Sequence, residues 1–209
     1  MGEGKLRPSH FCHSWVCDSL YPQQLTGFDS TIQSAIRGDL PAALTAFFTK
    51  VTHVMGTKII VIWVGLLLAV FVYKKWYSEA LFLGSNLVLT GLLVLLLKNI
   101  YQRPRPSILH LVEEKGFSFP SGHSLASTLV LGSLIIIISQ HVKHKTARYC
   151  LQGLLVLGIV TIVVSRVYVG VHYPSDVLGS MILGLAVLQF EYPLYDRLRF
   201  QWRFTGKQK

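Results

Sequence analysis

Apolar runs long enough to cross a bilayer alternate along this chain with short polar segments. A helix rises about 1.5 Å per residue and the hydrocarbon core is roughly 30 Å thick. By that measure five stretches qualify with their flanks: 58–73 (KIIVIWVGLLLAVFVY), 80–97, 124–140, 148–165 and 177–195. They predict an all-α fold, a polytopic membrane helix bundle with five spans. The third and fourth contain small residues that allow helices to approach closely. Upstream the pattern changes: Arg37, Asp39 and Lys50 interrupt the apolar positions and Pro41 breaks the segment. This predicts a pair of interfacial amphipathic helices over 28–57. Residues 1–27 form a polar leader without an apolar h-region, neither a secretory signal nor a span. The expected organisation is thus leader 1–27, interfacial helices 28–57, transmembrane core 58–195 and basic cytoplasmic tail 196–209.

Composition narrows the class. Of 209 residues, 51% are hydrophobic and only 14% charged, too apolar for a disordered chain and too poor in charge for an ordinary soluble domain. Lys and Arg total 20 against 10 acidic residues, a formal charge of +10. The basic residues cluster between apolar runs, which suits membrane topology and anionic ligands. Without an RNA-binding motif or interleaved aromatics, nucleic acid is not an expected partner. Three cysteines do not make a disulfide framework. Cys150 reads as a small core residue. Cys12 and Cys17, with His10 and His13, match no familiar zinc spacing.

Short-loop cations set the expected orientation. Lys74, Lys75, Lys143, Lys145, Arg148 and the basic tail share one side, assigned to the cytoplasm. The loop 98–123 and the turn 166–176 then lie on the extracytoplasmic face of a cell membrane.

The unusual residues gather on that second face. Segments 98–106 (KNIYQRPRP), 119–123 (FPSGH) and 165–176 (SRVYVGVHYPSD) border different apolar runs and so can meet at one membrane surface. Lys98, Arg105 and Arg166 would repel one another there unless they share an anion, and a phosphate dianion is the natural occupant. Arg103 reads as a rim charge, with Pro104 and Pro106 stiffening the segment that carries Arg105. Ser121 is a candidate N-cap, so the amides near Gly122 offer an anion site and His123 falls in the first turn. Asp176 follows His172 by one helical turn, near enough to accept the Nδ1–H of its ring. That bond would leave Nε2 free as nucleophile or base.

The patterns K-x6-R-P (Lys98, Arg105, Pro106), P-S-G-H (Pro120 to His123) and S-R-x5-H-x3-D (Ser165, Arg166, His172, Asp176) resemble the three signatures of the type 2 phosphatidic acid phosphatase superfamily, and more narrowly its bacterial undecaprenyl-diphosphatase and phosphatidylglycerophosphatase B-like branch. They occur complete and in order, and the resemblance covers about 28–195. It implies a phosphatase without metal or other cofactor, working through a phosphohistidine. In that pattern His172 is the nucleophile, Asp176 orients it, and His123 is general acid and base. Lys98, Arg105, Ser121, Gly122 and Arg166 hold the phosphoryl group. Two histidines in opposite protonation states imply a bell-shaped pH profile. Family members of this size typically have six spans, and the leader departs from that pattern, although YPQQLTGFD at 21–29 resembles the stretch that normally follows the first span.

A site opening at the membrane surface between apolar helices selects an anchored phosphate. The expected partners are therefore a lipid phosphate and the bilayer, with oligomeric state open. The resemblance implies undecaprenyl diphosphate, phosphatidylglycerophosphate or phosphatidic acid as substrate, and the outward-facing site points first to undecaprenyl diphosphate, hydrolysed to undecaprenyl phosphate. A phospholipid transporter or scramblase would need the cations but neither His123 nor His172. A phosphotransferase would pass the phosphoryl group to an organic acceptor.

Overall fold

The computed structural model describes residues 23–54 and 56–208, and the polar leader, including Cys12 and Cys17, lies largely outside them. Among the described residues there are seven helices: α1 (Gln23–Arg37), α2 (Ala42–Val54), α3 (Thr57–Tyr73), α4 (Tyr77–Tyr101), α5 (Gly122–His141), α6 (Lys145–Tyr168) and α7 (Pro174–Phe204). No strand occurs among the described residues. Residues 23–27, expected as part of the leader, already belong to α1.

Helices α4 to α7 are each long and apolar enough to cross a membrane. At 17 residues, α3 is about 25 Å long, shorter than the bilayer core. With α2 it makes a fifth candidate span, bent by 52° between the two helices. The break before α2 falls where Pro41 predicted it, with Gly38 and Leu40 both at positive φ.

Central to the bundle is α5, packed against α4, α6 and α7. Half of its apolar window is buried, whereas the other three long helices are 22–28% buried and turn the remaining surface outward. It approaches α7 closely, so that a Cβ on Gly184 would lie 2.8 Å from Thr128. Ser121 ends the preceding loop in an extended conformation and accepts a hydrogen bond from the Ser124 amide, the N-cap expected from sequence. Pro174 opens α7 at its first position, where a missing N–H costs nothing.

At the end carrying Lys74 and Lys143, the tail is structured. Helix α7 continues to Phe204, and Gln208 folds back to accept from the Ser78 amide at the start of α4. The opposite end holds the 102–121 loop and the 169–173 turn, which together with the adjoining helix ends carry the signature residues. Gly170 in that turn (φ 83°) sits tight against Arg37 and the Leu109 carbonyl, a space no side chain could share.

Candidate active site

Four helix ends build the site. Lys98 lies in the last turn of α4, His123 in the first of α5, Arg166 in the last of α6 and Asp176 in the first of α7. Arg105 comes from the long loop and His172 from the turn between α6 and α7. The three segments singled out in the sequence thus meet at one end of the bundle.

His172 is 2% exposed. Its Nδ1 lies 3.9 Å from Asp176 Oδ2, too far for the direct hydrogen bond expected. Ser118 stands between them. Its hydroxyl donates to Asp176 Oδ2 and lies 3.4 Å from Nδ1, so Nδ1–H can donate to Ser118 in turn. This order puts the ring proton on Nδ1 and leaves the Nε2 lone pair 3.4 Å from an Arg105 Nη1 donor. Burial lowers the pKa of His172 to about 4. Asp176 opposes the shift, while Arg166 and Arg105 reinforce it. The ring is therefore neutral at physiological pH, the form that carries a lone pair.

Arg166 is fully buried. It donates to Thr52 Oγ1 of α2 at 3.1 Å and to Glu114 Oε1. Glu114 also lies 3.7 Å from Arg105 Nη2. A carboxylate of the long loop therefore sits between the cations that the sequence assigns to an anion. Burial works against its charge, but Arg166 and His123 hold the Glu114 carboxyl below the usual range. Arg105 is fixed by the carbonyls of Val171, Gly116 and Lys115. His123 lies within electrostatic reach of Arg166, Glu114, His172 and Lys98. Lys98 and His123 share a cavity of about 480 Å³ whose remaining wall is largely apolar, formed by residues such as Val61, Leu87 and Leu95 of α3 and α4.

Two further expectations change. Ser121 spends its hydroxyl on the cap and its amide on Ser180 Oγ. The anion donors nearest this helix start are then the amides of Gly122 and His123, which have no intrahelical acceptor. Arg103 is not a rim charge. It is 7% exposed, pairs with Asp176 Oδ1 and with Asp29 Oδ2 at 2.8 Å, and lies over the Tyr173 ring at 4.0 Å. Sequence reasoning passed over Asp29, Thr52, Glu114 and Ser118. Only Asp29 (in YPQQLTGFD) and Ser118 (two residues before PSGH) lay beside stretches already singled out. Among the described residues no group of three His, Cys, Asp or Glu side chains is arranged to hold a metal ion.

A neutral histidine with acidic support, facing a ring of cations beside an apolar cavity, is equipped for phosphoryl chemistry on an anchored substrate. Known proteins give the class its family. A family model described as PAP2 superfamily matches residues 79–200. Phosphatidylglycerophosphatase B of Bacillus subtilis is 35% identical over 154 residues, 68% of this chain and 70% of that protein. Undecaprenyl-diphosphatase BcrC of the same organism is 29% identical over 147 residues, covering 67% and 71%. The crystal structure of a transmembrane PAP2-type phosphatidylglycerolphosphate phosphatase from Bacillus subtilis shares the fold, with a TM-score of 0.78 at 24% identity over 89% of this chain and 93% of the other.

The chain belongs to the PAP2 superfamily. It is a multi-pass membrane protein and a lipid phosphatase, hence a hydrolase.

Proposed function

We propose that this phosphatase removes phosphate from a membrane-anchored ester or diphosphate through a phosphohistidine on His172. The observation that carries the proposal is the buried His172 ring, with Ser118 and Asp176 on its Nδ1 side and Nε2 toward Arg105. In the first step Nε2 attacks phosphorus, the bond to the leaving oxygen breaks, and His123 gives that oxygen a proton. In the second, His123 takes a proton from water as the water oxygen attacks phosphorus and the P–N bond breaks, releasing phosphate. Lys98, Arg105, Arg166 and the amides of Gly122 and His123 hold the phosphoryl oxygens through both steps. The incoming phosphate displaces the Glu114 carboxylate from the two arginines.

The apolar wall of the cavity favours an amphiphile whose tail stays among α3, α4 and α5. The distribution of Lys and Arg favours an extracytoplasmic site. Undecaprenyl diphosphate is the substrate that this orientation suggests. Phosphatidylglycerophosphate is a second reading, favoured by the 35% identity to a phosphatase of that name.

The test is phosphate release in detergent with EDTA from both lipids, comparing wild type with His172→Ala. EDTA-resistant release, lost in the variant, is expected, and the ratio of kcat/KM between the lipids ranks the substrates. Release that survives His172→Ala would overturn the phosphohistidine route. A folded wild type that releases no phosphate from either lipid would overturn both substrate assignments.

A further inference from the structure

Helix α1 turns an unusual face inward. Asp29, Gln33 and Arg37, one turn apart on one side, are buried, whereas Phe28 and Ile32 are exposed. A helix that only rested on the membrane surface would bury its apolar side. The polar side here has a destination. Asp29 is 2% exposed, its Oδ1 accepts from the Ser175 amide at 2.8 Å, and its Oδ2 accepts from Ser175 Oγ and from Arg103. Arg103 then reaches Asp176, the acid beside His172.

The charges explain why two carboxylates flank one guanidinium. Arg103 alone would neutralise Asp176, leaving little negative charge to face His172. With Asp29 on the far side of the guanidinium, the trio keeps one net negative charge. Phosphoryl transfer to His172 makes its ring cationic, in a site where Arg105 and Arg166 already face it from the loop and from α6. A buried negative charge within a few ångströms then stabilises the transition state more than the ground state.

We propose that Asp29 is a positioning residue for the reaction. Through Arg103 it orients Asp176 and preserves the negative charge that supports phosphorylated His172, so α1 is part of the catalytic apparatus. This rests on the phosphohistidine mechanism proposed above.

The test compares Asp29→Asn, Arg103→Gln and the double variant in the full-length protein. Three readouts are kcat, inhibition by inorganic phosphate, and phosphohistidine trapped by rapid quenching. Asp29→Asn should lower kcat and the rate of phosphohistidine formation about tenfold. Inhibition by inorganic phosphate should stay within about twofold, because the cradle of Lys98, Arg105 and Arg166 is untouched. The double variant removes one charge of each sign and should regain at least threefold over Asp29→Asn. A purely structural role predicts no such rescue. An unchanged kcat in Asp29→Asn, a loss matched by equal loss of phosphate binding, or a double variant no better than Asp29→Asn would each overturn the inference. Wild-type protein that traps no phosphohistidine would sink the underlying mechanism instead, separating the two failures.

Discussion

At the scale of single residues, the site depends on short polar side chains set between charged ones. Ser118 is the clearest case: it relays between an imidazole and a carboxylate 3.9 Å apart. Removing its hydroxyl leaves Nδ1–H without an acceptor and takes one donor from Asp176, a loss of about 1–3 kcal/mol for buried groups. Ser118→Ala is expected to lower kcat about tenfold or more while KM changes little, since the Ser118 hydroxyl serves Asp176 and the imidazole rather than the phosphate-binding cations. Steady-state kinetics on a lipid phosphate would check this, and a change confined to KM would count against the relay. The lowered pKa of His172 has its own consequence. The ring must be neutral to attack, so the acid limb of kcat/KM should lie below about pH 5, near its pKa of about 4.

Among the helices, contact distance matters more than apolar content. The long helices were legible because their apolar runs are unbroken, and their caps because Ser121 and Pro174 stand at the starts. The α5–α7 contact was not legible. Glycine occurs in several of these helices, but Gly184 lies within van der Waals reach of a partner side chain while Gly65, Gly91 and Gly153 face open space. Gly184→Val would force Thr128 aside, and overpacking of this kind costs about 1–3 kcal/mol. A lower midpoint of thermal unfolding in detergent is expected, by several degrees, whereas Gly153→Val should leave it nearly unchanged. Equal effects would deny the close approach. Helix α1 shows the limit of pattern reading from the other side. Its mixed composition suggested a surface-lying amphipath, and we propose that its exposed Phe28 and Ile32 do meet the interface. Its inward face answers to partners far away in the chain.

For the molecule as a whole, the buried neutral histidine couples the site to stability. Its folded pKa of about 4 lies below the ordinary 6.5 of an exposed imidazole. Between those values the unfolded chain binds a proton that the folded chain does not, so stability should rise with pH from about 4 to 6.5 and then level off for this group. His172→Asn should flatten that part of the stability curve, measured by thermal unfolding in detergent across pH. An unchanged slope would show that other groups govern it. The sequence by itself determined the helical membrane class, the helices of the core and the convergence of three motif segments at one end. Those features follow from local hydrophobicity and from the simple alternation of helices across a bilayer. Only the tertiary structure decided that Arg103 is buried between Asp29 and Asp176, that Ser118 stands between His172 and its acid, and that Glu114 bridges the arginines. Arg103 and Asp29 are 74 residues apart. Spacing along a helix reaches only a turn or two, so such partners are set by how helices pack and where a loop folds over them.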